Sequence, residues 1–130
     1  MSYDPRSAVY PSFARARADF AAGRDDPVAF LERCAAAIAA RDEEVRAFVA
    51  LDIEAARASA ERSRERWKAG RAISAVDGAP FAVKDCYDVV GFPTRVNSAL
   101  FSDAPLARAD AAHVDALKRG GAVFIGKTVT

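Results

Sequence analysis

The order of elements in the second half of the chain constrains the fold more than any other feature. After the turn-forming pair Asp77-Gly78, the apolar run Pro80–Lys84 predicts a short strand. A helix is predicted over about Ala109–Arg119, and Gly120-Gly121 then leads into a second strand, Ala122–Ile125. Strand, loop, helix and strand in this order outline a βαβ crossover, in which the two strands lie parallel in one sheet. The sequence therefore predicts an α/β fold.

The first half of the chain is predicted to be helical. A short helix is expected over Ser12–Ala22, ending at Gly23, and a second helix begins at Asp26. Asp26 suits the N-cap because its carboxylate accepts backbone N–H groups that have no helical partner, and Pro27 suits the next position because it has no N–H to leave unpaired. An apolar stripe at helical spacing follows, formed by Val28, Leu31, Ala35 and Ile38 with Cys34 beside it.

The rest of the first half contains a break, an ambiguous stretch and a long helix. A break is predicted near Arg41–Glu44, and the apolar stretch VRAFVALD that follows is compatible with either a strand or a helix. A helix rich in Ala, Arg and Glu is expected over Asp52–Ala69, closed by Gly70. Its arginines Arg62, Arg64 and Arg66 are two residues apart, and residues at that spacing do not share a helix face. Glu61 and Glu65 are interspersed with them. A solvated face is therefore predicted there, not a nucleic-acid-binding stripe.

Bulk properties exclude several classes of protein. A length of 130 residues predicts one domain, and 19 basic against 18 acidic residues argue against strong binding to nucleic acid or an anionic membrane. Cys34 and Cys86 are too few for a disulfide framework or a zinc site, and no cofactor is predicted. The N-terminus lacks the pattern of a signal peptide, and no apolar run is long enough to span a membrane. The expected location is the cytoplasm.

The segment Gly121–Thr128, GAVFIGKT, matches the phosphate-binding pattern G-x-x-x-x-G-K-[ST]. A working P-loop has a strand before the first glycine, a helix after the Ser/Thr, and small residues between. Here a predicted helix comes first, and Ala, Val, Phe and Ile in the middle are typical of a buried strand. We therefore predict a strand and no ATP binding.

Lys84 is the candidate for chemistry. If its strand is buried on both faces, as in a parallel sheet, Lys84 lies at the edge of the core. Desolvation disfavours the ammonium form, and a neutral amine is what a general base requires. From spacing alone, the alternative that Lys84 simply reaches solvent at a strand end is favoured. Asp85 and Asp88 follow in a loop, where carboxylates commonly accept backbone N–H bonds and fix the turn.

The stretch DGAPFAVKDCYDVVGFPT, together with RADAAHVDALKRGGAVFIGKT, resembles the amidase signature family. In that family a G-x-P-[apolar]-x-[apolar]-K-D strand and a loop ending in G-x-P-T precede a helix and a strand ending in G-K-T. The resemblance runs over most of the chain from about Pro27. It is weak over the first two dozen residues, so we predict that residues 1–25 form a separate N-terminal helical extension, and the resemblance implies that 26–130 form the N-terminal part of an amidase domain. Helices would occupy 26–70, and the first strands of a mixed sheet would lie within 79–128.

The resemblance implies a hydrolase of amide carbon–nitrogen bonds with a Ser–cisSer–Lys triad, in which Lys84 is the lysine. That lysine acts through a serine held by a cis peptide, which relays the proton of a second, nucleophilic serine; an acyl-enzyme forms and water releases the acid. The family's Gly/Ser-rich segment, which supplies both serines, has no counterpart in these 130 residues. Lys84 is therefore the one triad member assigned, and the 130-residue chain alone is expected to be an inactive fragment.

Other reactive side chains are not assigned to the triad. Ser98, Ser102 and Cys86 lack the family's sequence context for a nucleophile, and His113 has no second ligand or carboxylate at a useful spacing. Asn97 precedes Ser98 where the family often has glycine.

Three functions remain open. The first is an amidase acting on a small-molecule amide, with no nucleic-acid or membrane partner. The second is a catalytically inactive truncated amidase that serves as a binding module, with self-association through a sheet edge that missing strands leave exposed. The third is the branch of the family formed by the A-subunits of tRNA-amidating amidotransferases.

Overall fold

The computed structural model describes residues 12–130 of the chain. Within them lie four α-helices, three strands and one short 3-10 helix, and the predicted α/β class is confirmed. In chain order these are α1 (Phe13–Ala21), α2 (Pro27–Val45), β1 (Phe48–Leu51), α3 (Ile53–Lys68), β2 (Pro80–Lys84), the 3-10 helix (Ala99–Phe101), α4 (Ala112–Arg119) and β3 (Val123–Thr128). Residues 1–11 of the predicted N-terminal extension lie outside the described residues.

The three strands form a mixed sheet in the order β1-β3-β2. β2 and β3 are parallel and are joined through α4, as the βαβ pattern predicts, whereas β1 is antiparallel to β3. β3 is therefore the central strand, with a neighbour on both sides. The ambiguous stretch VRAFVALD is resolved as a strand, because Phe48–Leu51 pairs with β3.

The core lies on the two faces of the sheet. On one face α2 and α3 pack against β3, where Leu31, Ala56 and Ala60 meet Val123 and Ile125. On the other face lies a second cluster formed by α4, the loop after β2 and the strands, with Val83, Val89 and Val114 buried and Phe81 and Phe124 packed against them. Together the two clusters bury β3 along most of its length.

Helix α2 begins as predicted and ends later than predicted. The carboxylate of Asp26 accepts hydrogen bonds from the backbone N–H groups of Val28 (2.8 Å) and Ala29 (3.0 Å), so it is the N-cap. The break expected near Arg41–Glu44 is wrong, because the helix continues to Val45 and ends at Arg46 in the left-handed conformation. The apolar stripe has no further member after Ile38, which suggests the break. The last turns of the helix are exposed, however, so they need no apolar residues, and Arg and Glu are good helix formers.

Two boundaries near the end of the chain also differ from the prediction. α4 begins at Ala112, not Ala109, because the preceding residues bind the loop after β2: the Asp110 carboxylate accepts from the Val90 N–H at 2.8 Å. β3 continues past Ile125 through Thr128, so the G-K-T residues lie inside the strand. The predicted strand within the P-loop-like segment is thus confirmed and is longer than expected.

One arginine of α3 is only partly solvated and is held in an ion pair, unlike the solvated face predicted there. Arg66 donates two hydrogen bonds to Asp77, whose side chain is fully buried, at 2.9 and 2.5 Å. Ser63 Oγ donates to the same carboxylate at 2.7 Å, and the Ile73 N–H donates at 3.0 Å. This set of bonds fastens α3 to the turn that precedes β2, and sequence spacing alone does not show it because the partners lie on different elements.

No helix in the described part of the chain is both long and apolar enough to cross a membrane.

Candidate active site

Lys84 is the last residue of β2, at the carboxyl end of the parallel β2–β3 pair. Its register partner is Thr128, the last residue of β3. In open α/β sheets, ligands bind beyond the carboxyl ends of parallel strands, so this is the edge at which a functional side chain is expected. Lys84 therefore lies at the edge of the sheet where a ligand would bind.

The burial expected for Lys84 is not found within residues 12–130. Lys84 is exposed, as is Ala82 on the same face of β2, so the described residues leave that face of the strand uncovered. Its neighbour Val83 faces the opposite way and is buried. The described residues thus supply no desolvation of the Lys84 amine, and the buried lysine of the sheet is a different one.

Lys127 is the buried lysine, and a register shift in the sheet explains how it is placed. Phe81 pairs with Phe124 and Val83 with Lys127, so two steps along β2 correspond to three steps along β3. The extra residue of β3 is a β-bulge, which turns Lys127 to the same side as Val83 and Phe124. The Lys127 side chain is 1% exposed.

The ammonium group of Lys127 has three partners. Its Nζ lies 2.6 Å from Oδ1 of Asp85, 2.9 Å from the Pro93 carbonyl oxygen and 3.1 Å from Thr94 Oγ1. The ammonium group thus has an opposite charge and two hydrogen-bond acceptors around it, which compensates for its burial. Sequence reasoning misses this contact because it depends on the register of β3 with β2 and on the path of the loop that follows β2, neither of which a residue pattern shows.

Asp85 connects this ion pair to the backbone on both sides of it. Its N–H donates to the Thr128 carbonyl oxygen at 2.9 Å, and its own carbonyl oxygen accepts from the Val96 N–H at 2.9 Å. Its second carboxylate oxygen accepts from the Arg95 N–H at 3.3 Å. The prediction that Asp85 fixes the turn is therefore confirmed, and the residue next to Lys84 is held by β3 and by the following loop.

Asp88 and Asp110 hold the rest of the loop. Asp88 accepts from Thr94 Oγ1 at 2.7 Å through its carboxylate and from the Ala111 N–H at 2.9 Å through its carbonyl. Asp110 accepts two bonds from Lys118 Nζ, both at 2.8 Å. Burial raises the pKa of Asp110, but the bonds from Lys118 and from the Val90 N–H outweigh it and hold the pKa below its ordinary value.

The loop also contains two consecutive residues in the left-handed region. Val96 has φ +50° and Asn97 has φ +52°. Asn tolerates this conformation better than other non-glycine residues, which explains how it stands where the resembled family often has glycine. Ser98 follows as the cap of the 3-10 helix, accepting from the Leu100 N–H at 3.3 Å.

A cavity of about 620 Å³ lies between β1 and this loop. Its lining includes Val49 and Ala50 of β1, Asp85 and Lys127, and a loop segment with Arg95, Asn97, Ser98 and Ser102. Lys84 is not part of the lining, because its side chain leaves the opposite face of the sheet. The structure therefore brings Ser98 and Ser102 to a cavity but not to Lys84.

The remaining reactive side chains stay apart from one another. Cys86 is partly buried, and His113 is exposed on α4, where its ring meets the ring of Tyr87 edge-on at 4.4 Å. Within residues 12–130, no serine or cysteine hydrogen-bonds to a lysine or histidine amine in the way that a nucleophile and its base do. The same residues contain no group of three side chains suited to hold a metal ion.

Comparison with known proteins identifies the family. The model of the Amidase family matches residues 29–130. The chain belongs to the amidase family. AtzE, a component of the 1-carboxybiuret hydrolase of Pseudomonas sp. strain ADP, is 37% identical over 106 residues, which is 82% of this chain and 23% of that protein. The A-subunit of the glutamyl-tRNA(Gln) amidotransferase of Chloroflexus aggregans is 35% identical over 118 residues, covering 91% and 24% respectively.

Solved structures of amidases contain the same arrangement of elements. The peptide amidase of Stenotrophomonas maltophilia superposes with a TM-score of 0.82 at 26% identity, over 95% of this chain and 26% of that one. A structure from a study of the origins of an s-triazine catabolic enzyme gives a TM-score of 0.85 at 33% identity, over 91% and 26%. This amidase chain thus corresponds to the N-terminal part of the family fold and spans about a quarter of the length of the curated relatives it matches.

Proposed function

We propose that the complete protein hydrolyses amide carbon–nitrogen bonds and that Lys84 is its catalytic base. The observation that carries the proposal is the place of Lys84: it ends a strand at the carboxyl edge of a parallel pair, in a chain that belongs to the amidase family. The neighbouring residue Asp85 is bound on both sides, so the backbone at Lys84 is held in one position. A base on a rigid strand end meets the geometric requirement for proton transfer better than one on a free loop.

The proposed reaction has two halves. A serine hydroxyl, supplied by a Gly/Ser-rich segment outside these 130 residues, attacks the amide carbonyl carbon while its proton passes through a second serine to the Lys84 amine. The tetrahedral intermediate collapses, the C–N bond breaks, and the protonated lysine returns the proton to the leaving amine. Water then attacks the acyl-enzyme by the same proton route, so that acid and free serine are formed.

The exposure of Lys84 fits this proposal when the rest of a family fold covers it. Lys84 and Ala82 are open to solvent on one face of β2, and β2 has a neighbour on one side only within residues 12–130. Further strands of a complete amidase would pair with the free edge of β2, and the serine-bearing segment would lie over the face that carries Lys84. They would remove water from the amine, which favours the neutral form that accepts a proton.

The test uses the full coding sequence of the gene and a panel of aliphatic, aromatic and peptide amides, with amine release as the measurement. We expect Lys84→Met to lower kcat by about 10³-fold or more, because the proton acceptor of both half-reactions is lost. Lys68→Met is the matched control, since Lys68 is an exposed lysine of α3 and its loss leaves β2 intact. Turnover by Lys84→Met equal to that of Lys68→Met would contradict the assignment of the base.

A second candidate is release of ammonia from glutamine, as a step in transamidation. The observation that favours it is the 35% identity to the A-subunit of the Chloroflexus amidotransferase over 91% of this chain. That identity is close to the 37% shared with AtzE from Pseudomonas, so similarity alone does not choose between them. Glutamine in the amide panel separates the two: ammonia release from glutamine alone favours this candidate, and turnover of other amides favours the first.

A further inference from the structure

The Lys127–Asp85 ion pair is the buried charge pair nearest to Lys84 in the chain. Both side chains are almost fully buried, 1% and 4% exposed, and Nζ and Oδ1 are 2.6 Å apart. Burying such a pair is not in itself an efficient way to stabilise a fold, because desolvation of the two charges offsets most of their attraction. A buried pair of this kind is better explained by what it holds in place.

The contacts of the pair meet at the residue after Lys84. Asp85 is bound through its side chain to Lys127 and through its N–H to Thr128, so two consecutive residues of β3 fix one residue. Lys127 also binds the Pro93 carbonyl and Thr94 Oγ1, which lie on the far side of the loop that leaves β2. The ammonium group thus joins the end of β2, the end of β3 and this loop at one point.

Two features of the sheet serve to bring Lys127 there. The bulge of β3 turns the side chain to the face of Val83, away from the α2–α3 side. Gly126, immediately before it, lies so close to β1 that an added Cβ would be 2.2 Å from the Ala50 carbonyl oxygen. The bulge therefore sets the face on which Lys127 lies, and the glycine lets β3 approach β1 closely beside it.

We propose that Lys127 is a positioning residue for Lys84: through Asp85 it fixes the backbone at the end of β2 and thereby the direction in which the Lys84 amine points. This inference rests on the proposed function, because Lys84 is taken as the base. It does not make Lys127 a phosphate or substrate ligand, since its ammonium group is buried, is paired with Asp85 and donates hydrogen bonds to the Pro93 carbonyl and Thr94 Oγ1.

The chain provides a matched control in the Arg66–Asp77 pair. Asp77 is also fully buried and bound to a basic side chain, but it precedes the amino end of β2, whereas Asp85 follows its carboxyl end. Removing either pair disrupts a buried carboxylate contact, and only removal of the Lys127–Asp85 pair releases the backbone next to Lys84. A loss of activity that follows from general destabilisation appears in both variants.

The experiment measures kcat and KM of the complete gene product for an amide that it hydrolyses, per folded molecule. We expect Lys127→Met and Asp85→Asn each to lower kcat about 100-fold, the effect of a displacement of about 1 Å, with KM changed less than about three-fold. The double variant loses no more than either single variant, because the two residues act as one unit. Arg66→Met retains the wild-type kcat.

Several results would overturn the inference. A kcat within about three-fold of wild type in Lys127→Met does so, as does an equal loss in Arg66→Met. If Lys127→Met does not fold, the double variant, in which both charges are removed, gives the same comparison. Turnover that survives Lys84→Met contradicts the proposed function instead.

If no amide is hydrolysed at all, the positioning role of Lys127 is tested by hydrogen–deuterium exchange of the peptide that contains Lys84. Faster exchange in Lys127→Met but not in Arg66→Met supports the positioning role, and unchanged exchange in both contradicts it.

Discussion

Gly126 lies where β3 approaches β1 too closely for any side chain. A Cβ built at this position would be 2.2 Å from the Ala50 carbonyl oxygen, which is backbone and cannot rotate away. We predict that Gly126→Ala lowers the free energy of unfolding by about 3 kcal/mol or more, because the two strands must separate to admit the methyl group. Urea denaturation followed by circular dichroism measures the loss.

Gly23→Ala is the control for that substitution. Gly23 has φ +67° but nothing within 4 Å of an added Cβ, so alanine there meets conformational strain without a steric clash. A loss of about 1 kcal/mol is expected for Gly23→Ala. If the two variants lose equal stability, the close approach of β1 and β3 does not govern position 126.

The two lysines at the end of the sheet show what a residue pattern can and cannot predict. Lys84 and Lys127 both stand near the ends of apolar runs, and alternation gives no reason to bury one and expose the other. The difference follows from strand order and from the bulge in β3, both of which depend on pairing between distant segments. Family resemblance points to Lys84, and only the fold reveals the partners of Lys127.

At the scale of elements, α3 is fastened to the start of β2 by Asp77. Burial raises the pKa of Asp77, but hydrogen bonds from Arg66, Ser63 and the Ile73 N–H outweigh it and hold the pKa below its ordinary value. A folded-state pKa below the unfolded one means that the ionised carboxylate stabilises the fold. That stabilisation is complete above the unfolded pKa of about 3.9 and is lost as pH falls through the folded pKa.

We predict that Asp77→Asn lowers the free energy of unfolding at pH 7 by about 2–3 kcal/mol, less than for a fully buried pair because Arg66 keeps some contact with water. The difference between wild type and variant shrinks as pH falls below about 5. Urea denaturation at a series of pH values measures it. Asp103→Asn, at an exposed position, is the control and leaves the pH dependence unchanged. A difference that stays constant down to a pH of about 2 contradicts the account.

Local chemistry determines which elements are predictable. The N-cap at Asp26, the glycine after α3 and the turn at Asp77-Gly78 are fixed by residues a few positions apart, and the sequence predicts each of them correctly. β1 is ambiguous in the sequence because four residues, Phe48–Leu51, carry too short a pattern to separate strand from helix. Its pairing with β3, which decides the matter, joins segments about 80 residues apart.

The whole molecule has two open sheet edges in the part that the structure describes. β1 and β2 each pair with β3 alone, and β1 carries the exposed side chains of Val49 and Leu51. Leu100 and Phe101 of the 3-10 helix are also exposed, at 90% and 49%. Relatives of this chain are about four times as long, so a complete family fold has ample sequence to cover these surfaces. An open strand edge beside apolar side chains favours pairing with another chain.

We therefore predict that the isolated 130-residue chain self-associates through its sheet edges, and that the complete gene product does so less. Multi-angle light scattering over a concentration series measures the mass of each. Val49→Lys on β1 and Ala82→Lys on β2 are expected to shift the isolated chain towards the monomer, because charged side chains at an edge oppose strand pairing. Val45→Lys is the matched control, since Val45 is 57% exposed but ends a helix and not a strand. A wild-type chain that stays monomeric at every concentration contradicts this prediction. An equal shift towards the monomer in Val45→Lys contradicts association through the strand edges.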